Sequence, residues 1–224
     1  MSDIAGKIIE FYSSLRPPSG LPGDVEVLYP QQHENVMKIV RTFFRKFYND
    51  QNSRRLIFGI NPGRFGAGTT GINFTAPKQL SSYCNIDHSF KPQTELSAEF
   101  IYEVIERYGG VSEFYSEYFI TAVCPLGFVR NGKNMNYYDD KGLFSSVKSF
   151  IVENISRQLA FSKIDRCICV GGEKNFSYFL ALNEEFNFFK EIIPLPHPRF
   201  IMQYRRKQKE RFIKEYLSVL KSEW

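Results

Sequence analysis

The sequence contains few of the side chains that bind metals or form disulfide bonds. Its 224 residues include three histidines and four cysteines, and no two cysteines form a C-x-x-C pair. Cys167 and Cys169 lie in the apolar run CICVGG, so on a strand both would point to one buried face. Reduced core thiols are therefore favoured over a metal or iron–sulfur site, and we expect neither a metal nor a cofactor.

Long hydrophobic runs are also missing. No apolar run approaches the roughly 20 residues of a membrane-spanning helix. The first residues, MSDIAGKIIEFYSSL, contain acidic side chains and apolar positions at helical spacing, which is typical of a helix and not of a signal peptide. We expect a protein that does not associate with membranes.

Aromatic residues and positive charge are abundant. The chain has 22 Phe, 13 Tyr and a formal net charge of +5. This charge favours an anionic partner, although many basic proteins bind no nucleic acid.

The hydrophobic pattern predicts strands that alternate with helices along the chain. Strands are predicted at residues 54–60, 118–123, 166–170 and 188–193, and helices at residues 4–15, 35–48, 96–108, 142–161, 173–182 and 203–220. Such alternation predicts one α/β domain over residues 1–224, a three-layer α/β/α sandwich around a mainly parallel four-stranded sheet. Residues 1–50 are expected to form a helical appendage to it.

Three notable segments follow predicted strands. They are residues 61–63 (NPG), 124–126 (CPL) and 197–199 (HPR). Ligands bind at the carboxyl ends of the strands in such sheets, so these segments are expected to converge on one site.

The segment from Gly66 to Gly71 spells G-x-G-x-x-G, the pattern of a dinucleotide-binding turn. Gly66 lies six positions beyond Ile60, however, and the residue twenty positions after Gly71 is Lys91, not an acidic residue. The spacing therefore argues against a nucleotide cofactor.

Residues 199–209 (RFIMQYRRKQK) mix apolar and basic side chains directly after His197. A solvated helix face is the usual explanation of such a charge run. Apolar side chains flanked by Arg and Lys also describe a wedge that enters duplex DNA between phosphate contacts, and the neighbouring His197 favours this second interpretation.

Together these segments resemble the uracil-DNA glycosylase superfamily, most closely its single-strand-selective monofunctional branch. Residues 59–66 (GINPGRFG) and 70–74 (TGINF) resemble the first motif of that branch, G-M-N-P-G-P-F-G followed by T-G-V-P-F. Residues 197–199 resemble its second motif, H-P-S-P-R, with two residues fewer between His and Arg. Residues 124–126 match its C-P-L, and the likeness extends over residues 55–209.

The resemblance implies a role for each matching residue. Asn61 would position the attacking water, and His197 would stabilise negative charge on the departing base. The implied substrate-binding residues are Ile60, Gly63, Phe65, Phe74 and Ala122, with Phe74 stacking on the flipped base. The implied DNA-binding residues are Arg64, Arg199, Phe200, Tyr204, Arg205, Arg206 and Lys207.

One position departs from the family pattern. The family places an Asn two residues before C-P-L to read the edge of the base, and this chain has Ala122 there. Asn131, Asn134 or Asn136 in the next segment are the candidates to replace it. The base is therefore expected to be uracil, with xanthine, hypoxanthine and C5-substituted uracil left open, the last because Gly63 stands where other branches have a bulky Tyr.

The expected function is a monofunctional DNA glycosylase that removes a deaminated base and leaves an abasic site. The substrate would be single- or double-stranded DNA and the enzyme a monomer, in the cytoplasm of a bacterium or in a eukaryotic nucleus. The alternatives are a mismatch-directed glycosylase for G-paired lesions and a non-catalytic DNA- or nucleotide-binding module.

Overall fold

The computed structural model describes residues 3–93 and 95–223. Its strands are β1 (Val25–Leu28), β2 (Arg55–Gly59), β3 (Tyr118–Ala122), β4 (Gly127–Arg130), β5 (Lys133–Met135), β6 (Arg166–Val170) and β7 (Glu191–Leu195). Its α-helices are α1 (Ile4–Ser13), α2 (Glu34–Phe47), α3 (Ala67–Thr70), α4 (Pro77–Ser82), α5 (Leu96–Tyr108), α6 (Val111–Glu117), α7 (Lys141–Gln158), α8 (Gly172–Phe186), α9 (Pro198–Tyr204) and α10 (Lys209–Leu220).

The centre of the molecule is a parallel sheet of four strands in the order β3-β2-β6-β7. Helices cover this sheet, and β2, β3 and β6 are buried along nearly their whole length. Their continuous apolar runs follow from this double burial. The predicted α/β fold with a parallel four-stranded sheet is confirmed.

Strand β2 marks the point where the direction of sheet winding reverses. From β2 the chain first continues to β3 on one side, and it later returns to β6 on the other side. Such a reversal leaves a crevice beyond the carboxyl ends of the strands. The segments after β2, β3 and β7 therefore meet at one edge of the sheet.

The helices of the first 50 residues pack into the central core and do not stand apart from it. Helix α1 buries Ile4, Ile8, Phe11 and Tyr12, and it contacts α2. The hydroxyl of Tyr48, next to α2, donates a hydrogen bond of 2.9 Å to the carbonyl of Tyr118. The N-terminal segment is thus joined directly to the sheet.

The structure differs from the predicted elements in several regions, and the fourth strand, predicted at residues 188–193, lies at Glu191–Leu195. Residues 127–135, for which the sequence predicts no strand, form the hairpin β4–β5, which pairs with β1 in a second, antiparallel sheet. The glycine-rich segment contains the single-turn helix α3. The predicted helix over residues 203–220 is interrupted at residues 205–208, because α9 ends at Tyr204 and a 3-10 turn (Arg206–Gln208) precedes α10.

All four cysteines are buried and free. Burial raises the pKa of the Cys124 and Cys169 thiols to about 12, so these side chains stay protonated. Within the described ranges, no helix combines the length and apolar character that crossing a membrane requires.

Candidate active site

A cleft of about 400 Å³ lies beyond the carboxyl ends of β2 and β3. It brings together most of the residues that the sequence singled out, namely Ile60, Asn61, Gly63, Phe65, Phe74, Ala122, His197, Arg199, Phe200 and Tyr204. Arg64, Arg205, Arg206 and Lys207 lie outside its lining. Segments far apart in the chain therefore form one site, as the parallel topology requires.

The side chain of Asn61 is held by two hydrogen bonds from the hairpin strand β5 and the residues after it. Its Nδ2 donates to the carbonyl of Met135 at 3.0 Å, and its Oδ1 accepts from the amide of Tyr137 at 3.0 Å. These two bonds fix the orientation of the amide. Because a carbonyl oxygen has two lone pairs, Oδ1 keeps one acceptor position for a water molecule.

His197 lines the same cleft and caps the start of α9. Its Nδ1 accepts a hydrogen bond of 3.1 Å from the amide of Arg199, so the ring proton of the neutral imidazole is on Nε2. Burial, and secondly the charge of Arg199, lower the pKa of His197 to about 4. The side chain is therefore a neutral N–H donor at neutral pH.

Phe74 adopts a conformation that is uncommon for a side chain other than glycine. Its φ is +52°, and hydrogen bonds on both sides hold the turn. Thr70 Oγ1 donates to the carbonyl of Thr75 at 2.6 Å, and Gln31 Nε2 donates to the carbonyl of Gly71 at 2.8 Å. The Phe74 ring lies 6.2 Å from the His197 ring, centre to centre.

Gly59 is required by this placement of the Phe74 ring. A Cβ atom on Gly59 would lie 2.8 Å from Phe74 Cε2, closer than carbon atoms approach without a shift. The glycine at the end of β2 therefore lets the Phe74 ring lie against the strand end inside the cleft.

The space beside Gly63 is partly filled by Asn134 of the hairpin. A Cβ on Gly63 would lie 3.3 Å from Asn134 Nδ2, and Asn134 Oδ1 accepts a hydrogen bond of 3.2 Å from the amide of Arg64. The opening that Gly63 leaves is thus narrower than the sequence predicts. Of the other two candidate Asn residues, Asn136 lines the cleft, whereas Asn131 forms the exposed hairpin turn with φ +49°.

The rim of the cleft carries exposed aromatic rings next to arginines. Phe65 is 48% exposed and lies under the guanidinium of Arg64 at 4.9 Å. On the other side, Phe200 and Tyr204 are 43% and 63% exposed, and Arg205 lies 5.3 Å from the Phe200 ring centre. The exposed Arg206 and Lys207 continue this surface beyond α9.

Other residues of the cleft were not predicted from the sequence. Asn73, Glu95, Ser97, Met135 and Gln203 line it. Asn73 stands immediately before Phe74, but a single Asn in a loop gives no pattern that would distinguish it from a turn residue. Met135 belongs to the hairpin β4–β5, which the polar sequence of this segment does not indicate.

The uracil DNA glycosylase superfamily model matches residues 45–221, which include every residue that lines the cleft. The chain belongs to the uracil DNA glycosylase superfamily. It is therefore a DNA glycosylase, a hydrolase of base excision repair, and the predicted family is confirmed.

The glycosylase is also similar to a solved structure over nearly its full length. The crystal structure of SMUG2 from Pedobacter heparinus shares 46% sequence identity, covers 99% of this chain and 98% of its own, and superposes with a TM-score of 0.95. No curated protein sequence matches the glycosylase. The structural match includes the N-terminal residues that lie outside the family model.

Proposed function

We propose that this glycosylase hydrolyses the bond between the sugar and a deaminated base, uracil first of all, in a nucleotide flipped out of DNA. The observation that carries the proposal is that Asn61, His197 and Phe74 line one cleft, with the Phe74 and His197 rings 6.2 Å apart. This arrangement provides a water-binding amide, a neutral N–H donor and an aromatic face for a flat base.

In the proposed reaction, the bond between sugar C1′ and the base nitrogen breaks first. Its electron pair moves to the base, and His197 Nε2–H donates to the carbonyl oxygen on which negative charge develops. The sugar passes through an oxocarbenium-like state. A water molecule that donates to Asn61 Oδ1 then turns its lone pair toward C1′ and forms the new bond, and its proton leaves to solvent.

The proposed product is an abasic site in an uncut strand. A glycosylase that forms a Schiff base needs an amine at the reacting sugar. Among the described residues that line the cleft there is no lysine. This composition supports a monofunctional hydrolytic enzyme.

The rim residues are proposed to hold the DNA around the flipped nucleotide. Phe200 and Tyr204 would fill the gap that the flipped base leaves, and Phe65 would stack on a neighbouring base. Arg64, Arg199, Arg205, Arg206 and Lys207 would contact phosphates. The backbone around Ile60 would contribute contacts to the base edge.

A panel of lesions tests the proposed function. Oligonucleotides with one uracil, xanthine or hypoxanthine, single-stranded or opposite each of the four bases, are incubated with enzyme and then treated with alkali. We expect cleavage at uracil in single strands and in duplexes. Cleavage confined to lesions opposite guanine would indicate a mismatch-directed enzyme instead, and binding without any cleavage would indicate a DNA-binding module.

The wedge role of α9 predicts a difference between duplex and single-stranded substrates. Changing Phe200 and Tyr204 together to alanine should lower the rate on duplex uracil about 10- to 100-fold, because base–aromatic stacking is worth about 1–3 kcal/mol per base. The effect on single strands should be much smaller, since no partner strand must be held apart. Single-turnover rates on both substrates measure it, and equal losses would contradict the wedge role.

The position of Asn134 predicts a change in base selectivity. Replacing it with alanine removes the amide that occupies the space beside Gly63, so bases with a substituent at C5 should fit better. We expect the rate on 5-hydroxymethyluracil, relative to the rate on uracil, to rise about tenfold, because one small group that does or does not fit a pocket changes the rate by about this factor. Asn131→Gly in the exposed turn of the same hairpin is the matched control. If Asn134→Ala leaves the ratio of the two rates unchanged, Asn134 does not restrict bases with a C5 substituent.

A further inference from the structure

The cleft contains an amide side chain with one polar atom held by the protein and the other exposed. Asn73 is 8% exposed and lines the cleft next to Phe74. Its Nδ2 donates to the hydroxyl of Tyr12 at 3.1 Å. Its Oδ1 has no partner among the described residues and is not sealed from solvent, so this acceptor opens into the cleft.

The Tyr12 hydroxyl that holds this amide lies beside a buried group of hydrogen-bonded side chains that begins in α7. Gln158 Nε2 donates to the carbonyl of Asn154 at 2.9 Å, which leaves Gln158 Oε1 to accept from the hydroxyl of Thr121. The side chain of Thr121 also lies next to the Tyr12 hydroxyl. The oxygen of Tyr12 accepts from Asn73 Nδ2.

The bond from Asn73 Nδ2 to the Tyr12 hydroxyl leaves the carbonyl end of Asn73, and not its NH₂ end, for the cleft. Burial raises the pKa of Tyr12 to about 12, so its hydroxyl stays protonated at neutral pH. The acceptor in the cleft is therefore built into the fold.

Resting on the proposed function, we infer that Asn73 reads the flipped base, with Oδ1 accepting the ring N–H that lies beside a carbonyl in deaminated bases. Ala122 offers only a methyl group at the end of β3 and cannot make such a bond. Uracil, xanthine and hypoxanthine all carry this N–H. Cytosine and adenine carry a lone pair at the corresponding ring nitrogen, which an acceptor oxygen repels.

Tyr12 is then a positioning residue for base recognition, supplied by α1. It touches Asn73 and not the cleft, and it lies outside residues 45–221 that match the superfamily model. The N-terminal helix thereby acquires a role in specificity as well as in packing. Removing the Tyr12 hydroxyl frees the Asn73 amide to rotate and present its NH₂ end.

The test is single-turnover cleavage by Asn73→Leu on single-stranded uracil, xanthine and hypoxanthine. We expect about 10- to 100-fold loss on each base, the cost of losing a buried hydrogen bond to the substrate. Asn73→Ser, whose side chain is too short to reach the base, should show the same loss. It replaces Asn73→Leu in the experiment if the leucine variant does not fold. Gln79→Leu, which removes a buried amide from α4 outside the cleft, is the matched control.

Tyr12→Phe separates positioning from general stability. It should slow uracil release in the wild-type background and have no further effect in Asn73→Leu, because both changes remove the same contact. A loss that adds in the double variant would refute the positioning role. Unchanged rates in folded Asn73 variants would overturn the inference, whereas a wild-type enzyme that releases no base would instead overturn the proposed function.

Discussion

Replacing His197 with alanine should slow base release about 100- to 1,000-fold while leaving the protein folded. Loss of one preorganised donor to a developing oxyanion has this magnitude. The Nε2 proton of His197 faces the cleft because Nδ1 is held by the Arg199 amide, so alanine removes the donor completely. Single-turnover rates on a uracil-containing single strand measure the loss.

The pH dependence of the wild-type rate tests the same residue in a second way. Because the pKa of His197 is lowered to about 4, the imidazole binds a proton only as the pH falls through that value. Activity that needs the neutral ring should persist from about pH 8 down to about pH 5 and then decline. A decline centred near pH 6.5 would show an ordinary histidine.

The control for His197 is His33→Ala. His33 is exposed at the start of α2, and its side chain makes no capping hydrogen bond there. Its replacement should leave both the rate and the pH profile unchanged. Equal rates for His197→Ala and His33→Ala would show that His197 does not donate a hydrogen bond to the departing base.

Replacing Asn61 with alanine should have an effect of about 100-fold or more. The amide holds the attacking water, and a water displaced by about 1 Å from its productive position costs about this factor. The bonds to Met135 and Tyr137 hold Oδ1 in place, and alanine offers no oxygen at that position. The substitution should lower the rate of the chemical step and leave the affinity for DNA unchanged.

Measuring the two quantities separately distinguishes this role from substrate binding. Binding of Asn61→Ala to DNA with an uncleavable uracil analogue should match the wild type. Asn52→Ala, an exposed position in the turn before β2, serves as the control for both measurements. Weakened binding with an unchanged single-turnover rate would assign Asn61 to recognition instead of catalysis.

The sequence predicted the parts of the molecule that hydrophobic patterning determines. Strands β2 and β6 are continuous apolar runs that end in tight turns, and their location places Asn61 at a strand end. The helix over Leu96–Tyr108 has a clear apolar face and ends at Gly109, so both of its boundaries were predicted. These features depend on residues that are close in the sequence, so they can be predicted without knowing how distant segments pack.

The remaining features depend on contacts between distant segments. The hairpin β4–β5 has exposed residues at Lys133 and Asn134 and no alternation, so its pairing with β1 has no local signal. This hairpin nevertheless orients Asn61 and fills the space beside Gly63. Asn73 and Tyr12 likewise meet only after folding, 61 positions apart in the chain.

The most direct measurement is product analysis by mass spectrometry after reaction in heavy-oxygen water. A single-stranded oligonucleotide with one uracil is incubated with the wild-type enzyme and analysed without alkali. We expect free unlabelled uracil and an uncut strand whose abasic sugar carries the heavy oxygen, because water attacks C1′. An intact substrate, or a strand cut or linked to the enzyme without alkali, would contradict hydrolysis by Asn61 and His197.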